Sequence, residues 1–201
     1  MKVIGLCGGS GSGKGVVCSL FNKFGIPAID TDAVYRELTS ADGPCNRSLC
    51  EEFGMEIISE DGSLNRKALG KIVFTGEGAE KRLKKLNEIA HKFILDKTRL
   101  ILDDFKNQGV RAAIVDAPVL FESGFDSECD VTIAVIADRE IRIGRIIARD
   151  KIDRESAEAR IASQLSDEEL ISRSSIIIEN NSNLLDLEKR VSEVANLLLN
   201  N

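Results

Sequence analysis

Met1-Lys2-Val3-Ile4-Gly5-Leu6-Cys7-Gly8-Gly9-Ser10-Gly11-Ser12-Gly13-Lys14-Gly15-Val16-Val17 is the stretch whose reading decides the fold. Val3 to Cys7 is a short apolar run rich in β-branched residues, the pattern of a strand buried on both faces. From Val16 to Phe24 the pattern turns helical. Between them, Gly8 to Lys14 matches G-x-x-x-x-G-K in the strand–loop–helix context that makes the motif meaningful. Glycines let successive backbone N–H groups turn inward around phosphate oxygens. The helix that follows aims the positive end of its dipole at the same anion. Lys14 reaches the β- and γ-phosphates as a point charge. A dinucleotide-binding loop is the competing pattern, and Asp30 lies where its ribose-binding acid would fall. That pattern needs glycine at position 14, which is lysine. The motif departs from its usual form at one place: Gly15, then Val16, stand where a Ser or Thr hydroxyl would bind Mg²⁺.

Working outward, further apolar runs read as strands at Ile26 to Ile29, Ala112 to Val115, Val131 to Ala137 and Ser175 to Ile178. Helical periodicity covers Lys81 to Lys106, Arg139 to Arg149 and Asp186 to Leu199. Strand alternating with helix predicts an α/β fold, a five-stranded parallel sheet flanked by helices. From Thr31 to Gln108 strand signal is nearly absent, which predicts a helical insertion.

The 201 residues are 43% hydrophobic and 30% charged, enough for one α/β domain with an insertion. Twenty-seven basic against 33 acidic residues give a net charge of −6. Such a balance argues against nucleic acid and anionic membrane as partners, so an anionic substrate needs a local cluster of Arg and Lys. Five scattered cysteines without a C-x-x-C pair read as reduced thiols. His91 is the sole histidine, which disfavours a His-based zinc site. No signal or membrane-spanning run is present, and a cytoplasmic protein is expected.

The second informative stretch is Ile29-Asp30-Thr31-Asp32-Ala33-Val34-Tyr35-Arg36, at the end of the second predicted strand. Ligands of open α/β sheets bind beyond the carboxyl ends of the strands, so these carboxylates are expected to face the phosphate-binding loop. Two aspartates at i and i+2, with Arg36 beyond them, suit a kinase: one acid deprotonates or orients a hydroxyl, and the arginine holds an anionic part of the acceptor. A plainer role is also open, with Asp32 capping a helix that starts at Ala33.

These residues carry a family resemblance. The P-loop with Asp30-x-Asp32-x-x-x-Arg36 resembles the dephospho-coenzyme A kinases, P-loop enzymes related to the nucleoside monophosphate kinases. Further blocks follow in the family's order. Gly62-Ser63-Leu64-Asn65-Arg66-Lys67-Ala68-Leu69 with Ile72-Val73-Phe74 is similar to one, and Leu86-Asn87-Glu88-Ile89-Ala90-His91 to the next. Val115-Asp116-Ala117-Pro118-Val119-Leu120-Phe121-Glu122 resembles a third. Arg145 to Asp150, then Arg160, Ile161 and Gln164, resemble the lid region, and Ile178-Glu179-Asn180-Asn181 the last block.

The resemblance implies transfer of the ATP γ-phosphate, with Mg²⁺, to the ribose 3′-hydroxyl of dephospho-coenzyme A, the last step of coenzyme A biosynthesis. It implies a nucleotide-binding core (1–30, 109–138, 166–201), a helical acceptor-binding insertion (31–108) and a lid (139–165). Asp32 would be the general base, Lys14 would neutralise the transferring charge, and Arg149 would close from the lid. Gly8, Gly9, Gly11, Ser12, Gly13, Lys14, Gly15, Val16, Arg145 and Asn180 would hold the nucleotide, and Asp30, Arg36, Arg66 and His91 the acceptor. Metal ligands are not assigned. Asp116 has two readings, a metal-linked acid or a support for the Pro118 turn. Arg145 and Arg149, four apart on a helix, could equally form a solvated face. His91 could be structural and Arg66 part of an ordinary helix start.

Thr31 replaces the family's usual Ala. Lys92 stands where Pro is usual, so the helix can continue. Arg142 stands where Gln is common, and Glu179 replaces Asp. Two other functions stay open: a small-molecule kinase of the adenylate-kinase type, or an ATP-binding regulator without turnover.

Overall fold

A computed structural model describes residues 1–200; Asn201, the last residue of the expected core segment 166–201, lies outside them. The chain divides into two compact units, Met1–Ile29 with Leu102–Asn201, and Asp30–Ile101.

The first unit is built on the sheet. Strands β1 (Lys2–Cys7), β2 (Ala28–Asp30), β3 (Ala112–Asp116), β4 (Val131–Ile136) and β5 (Ile176–Glu179) lie in the order β2-β3-β1-β4-β5. The pairs β1–β3, β1–β4 and β4–β5 are parallel, with Leu6 opposite Asp116 and Cys7 opposite Ala134. The predicted five-stranded parallel sheet is therefore present, with ends shifted by one or two residues. The largest shift is at β2, where the apolar run begins at Ile26 but Pro27 has no N–H to give a ladder. Its carbonyl still accepts from Ile114 N at 2.8 Å.

Helices α1 (Lys14–Asn22) and α9 (Leu184–Asn200) cover the sheet. Ile4, Leu6, Phe21, Ile114, Ile133, Val135, Ile178, Val191 and Val194 form one buried cluster between them. Each such side chain contributes about 1.5–3 kcal/mol by leaving water. Helix α6 (Arg139–Asp150) is strongly amphipathic and buries Ile143 and Ile146 against Ala157 of α7 (Arg154–Ala162). Helix α8 (Asp167–Arg173) starts with a complete capping box, Ser166 and Glu169 serving each other's backbone N–H.

The second unit is helical: α2 (Thr31–Leu38), α3 (Pro44–Phe53), α4 (Arg66–Phe74) and most of α5 (Ala79–Asn107), with an isolated bridge between Ile58 and Leu64. Helix α5 runs unbroken through Lys92, as expected without proline there. Its neighbours bury Leu49, Ile57 and Val73. Among the described residues no helix is long and apolar enough to cross a membrane.

Candidate active site

Strand β1 ends in buried Cys7, and the chain then leaves the sheet through the glycine loop. Ser12 N–H donates to Gly9 O at 3.1 Å, closing the loop. Ser12 is 1% exposed and its Oγ has no hydrogen-bond partner among the described residues. An orphaned buried hydroxyl costs roughly 1–3 kcal/mol, and a phosphate oxygen is the kind of group that would satisfy it. Helix α1 starts at Lys14 with no side-chain cap among the described residues; Val16 and Val17 N–H donate to Gly13 O at 3.0 and 3.2 Å, which leaves the N–H groups of Lys14 and Gly15 for an anion.

Lys14 Nζ lies 3.8 Å from Asp116 Oδ1, both side chains being largely buried. Cys18 Sγ donates to Asp116 Oδ2 at 3.6 Å. Asp116, the last residue of β3, therefore stands beside the P-loop lysine, which gives it more than the turn-supporting role.

Arg145 and Asn180 brace the loop from behind. Arg145 donates to Gly11 O at 3.2 Å, Ser12 O at 3.4 Å and Asn180 O at 3.0 Å. Asn180 Nδ2 donates to Ser12 O at 2.8 Å. Both satisfy P-loop carbonyls. Arg145 is thus not on a solvated face. Arg149 is exposed; it donates to Ser10 Oγ at 3.3 Å and pairs with Asp150 at 2.7 Å.

Asp150 also pairs with Arg160. Hydrogen bonds from Arg149 first, then Arg160, hold its carboxyl down from 3.8 to about 2. A carboxyl depressed on folding adds stability above its unfolded value and loses it as pH falls through the folded one. In acid thermal melts, wild type should exceed Asp150→Asn in Tm near pH 6, and the gap should close between about pH 4 and pH 2. A gap independent of pH would remove the carboxylate from this role. Burial pushes the Cys129 thiol up to about 12 and Cys45 to about 11, so both stay protonated near neutrality.

In the second unit, Asp30 caps α2, its Oδ1 accepting from Ala33 N at 3.0 Å. This corrects the expectation that Asp32 would cap a helix starting at Ala33. The helix begins at Thr31, two residues earlier, and Asp32 is left exposed in its first turn. Arg36 reaches back to Asp30 Oδ2 at 3.4 Å, both side chains being more than half exposed. Such a pair contributes about 0–1 kcal/mol and leaves both groups available to a ligand. Arg66 starts α4 behind its cap Asn65, and its guanidinium lies 5.9 Å from the Tyr35 ring centre. His91 is half-buried on α5.

Sequence reasoning passed over the grip on Ser10. Its N–H donates to Gln164 Oε1 at 2.8 Å, and its carbonyl accepts from Arg142 Nε at 3.0 Å. Arg142 was visible only as a family departure. The capping signature Ser166-x-x-Glu169 could have located the adjoining helix α8.

Comparisons with known proteins bear on this geometry. The dephospho-CoA kinase family model matches residues 2–186. A dephospho-CoA kinase of Fusobacterium nucleatum is 40% identical over 192 residues, covering 95% of each chain. That of Geobacter sulfurreducens is 37% identical over 194 residues, covering 96% of this chain and 97% of the relative. A crystal structure from Thermus thermophilus, TT1252, superposes with a TM-score of 0.79 at 31% identity, covering 96% of this chain and 95% of that one. With a phosphate cradle at Gly8 to Lys14 and the match extending across nearly every element described above, the chain belongs to the dephospho-CoA kinase family.

Proposed function

We infer that this chain phosphorylates the ribose 3′-hydroxyl of dephospho-coenzyme A, using ATP and releasing ADP and coenzyme A. The observation that carries this is the family match over residues 2–186. The P-loop supports it: the buried Ser12 hydroxyl without a partner and the uncapped α1 start both suit phosphate.

Asp32 takes the proton of the attacking 3′-oxygen as that oxygen bonds to the γ-phosphorus. The bond to the ADP oxygen breaks, and Lys14 stabilises the charge spread over the transferring phosphoryl group. Catalysis of this kind is mainly positioning and charge stabilisation. Gly8, Gly9, Gly11, Ser12, Gly13, Gly15 and Val16 shape the donor site, and Arg145 and Asn180 support it from the carbonyl side. Arg149 contacts the donor from the lid, residues 139–165. Asp30, Arg36, Arg66 and His91 serve the acceptor in the insertion, residues 31–108.

Mg²⁺ is part of the same reading. Among the described residues no group of three or more His, Cys, Asp or Glu is placed to hold a metal. Asp116, a hard oxygen donor beside Lys14, fits an ion that keeps several waters and is otherwise held by nucleotide phosphates. Asp116 would hold the ion there, which would supply neutralisation of phosphate charge. Gly15 gives it no hydroxyl, but a Cβ at position 15 would meet nothing within 4 Å. Gly15→Ser should therefore strengthen α1 by about 0.5 kcal/mol. It should also lower the Mg²⁺ concentration needed for tight ADP binding, read by calorimetry across a magnesium series. An unchanged magnesium dependence would count against a metal at this position.

The reaction itself is tested with purified protein, ATP, Mg²⁺ and a panel of acceptors, measuring ADP release. Turnover on dephospho-coenzyme A is expected. Turnover on adenylate alone would indicate an adenylate-kinase type of enzyme, and binding without turnover a regulator.

A further inference from the structure

Arg142 is a buried cation beside the P-loop. It is 3% exposed, on the second turn of α6. Each of its three guanidinium nitrogens donates a hydrogen bond. Nε donates to Ser10 O at 3.0 Å, Nη1 to Asp167 Oδ1 at 2.9 Å, and Nη2 to Gln164 Oε1 at 3.3 Å. Gln164 Oε1 also accepts from Ser10 N–H at 2.8 Å. Both backbone polar groups of Ser10 are therefore tied to one charged fork and the amide beside it. The contact is close: a Cβ on Gly9 would come 2.0 Å from Arg142 Nη2. The P-loop accepts this arginine because residue 9 has no side chain.

Burying a cation is expensive unless it is paired and hydrogen-bonded. Asp167 supplies the pairing from the start of α8, where an acid is also favoured by the helix dipole. A glutamine here could donate through one amide group, but could not ion-pair or present a fork of three donors. The arrangement links three segments distant in sequence, namely the P-loop, helix α6 and the α7–α8 turn.

We propose that Arg142 is a positioning residue, which holds the P-loop in its phosphate-binding shape before nucleotide arrives through the Ser10–Gln164–Asp167 network. It touches no reacting atom and acts on affinity for the donor. An unligated loop of glycines and serines otherwise samples many shapes, and affinity falls in proportion to the fraction in the competent one. The residues that contact this network lie in the sheet-bearing unit, so the acceptor side should be untouched.

The test compares ADP dissociation constants by calorimetry, kcat, the KM values for ATP and dephospho-coenzyme A, and Tm. Arg142→Lys keeps the charge beside Asp167 and loses the planar fork. It is expected to weaken ADP binding about tenfold, as for a loop competent one-tenth of the time, and to raise the ATP KM with it. The KM for dephospho-coenzyme A should stay within about twofold, as expected for a site with no shared partners. Arg142→Met combined with Asp167→Asn removes both charges, so it keeps the question answerable if the lysine variant folds poorly. It should hold Tm near wild type, yet bind ADP as weakly as the lysine variant. Wild-type ADP affinity in either folded variant would overturn the proposal. So would equal rises in both KM values, which would signal a general loosening. If the unaltered chain failed to bind ADP, the nucleotide-site reading would fall and the proposal with it.

Discussion

Asp32→Asn should lower kcat by about two to four powers of ten, the usual contribution of a general base, while ADP affinity stays near wild type. The separation follows from where the residue sits. Asp32 is exposed in the first turn of α2 and does not cap that helix; Asp30 does. Asparagine keeps the shape and loses only the proton acceptor and one favourable charge near the helix start, a stability cost of about 0.3–1 kcal/mol. Asp30→Asn makes the control, because asparagine caps as well as aspartate and α2 should hold. Rate measurements at saturating ATP and dephospho-coenzyme A decide the matter. Near-normal turnover in Asp32→Asn would take the base role away from Asp32, and comparable losses in both variants would place the role on the pair.

Gly8→Ala should reduce turnover by about a hundredfold, as expected when catalytic groups are misplaced by an ångström. The backbone at Gly8 has φ +150°, in a region L-residues rarely enter. A Cβ there would stand 2.4 Å from the carbonyl oxygen of Val135 on β4 and 2.9 Å from Ser12 Oγ. Val135 is fully buried in the central sheet and cannot yield, so the loop must move. The movement falls on the Ser12 hydroxyl that we assign to phosphate. Strain of this kind costs about 1–3 kcal/mol, which a well-packed domain survives. The expected outcome is a folded protein with a lowered Tm and weak ADP binding, read by melting and calorimetry. Gly15→Ser provides the contrast, since that site is open. Wild-type affinity in Gly8→Ala would mean that the loop shape does not depend on its contact with Val135.

Much of this was legible before any coordinates. The apolar runs located all five strands: the inner strands β1, β3 and β4 are largely buried and leave a continuous apolar signature, and the edge strands β2 and β5 keep enough isoleucine to be read. Helix α5 was visible over nearly its full length from periodicity alone. Helices α7 and α8 were not, because they are short and α7 is weakly amphipathic, their start signals lying in Asp153 and Ser166. The aspartate pair was found, but the cap falls on Asp30 and not, as the plainer alternative had it, on Asp32. Which of two nearby acids caps a helix depends on a two-residue shift of the helix start, finer than pattern reading resolves.

The sequence by itself determined the local pattern: a P-loop motif after a buried strand, a lysine at its end, an absent hydroxyl at Gly15, and paired acids where β2 passes into α2. Each is a matter of spacing within a few residues, where covalent geometry sets what can meet. Only the tertiary structure decided the β2-β3-β1-β4-β5 order and the placement of Asp116 beside Lys14. It also decided that Arg145 and Asn180 grip P-loop carbonyls, and that Arg142 is a buried clamp instead of a surface charge. These partners are separated by 102 (Lys14 to Asp116) to 168 residues in the chain. Nothing local encodes such pairs; they come together because burying the sheet's faces leaves each buried polar group in need of a partner, and the fold supplies it from elsewhere in the chain.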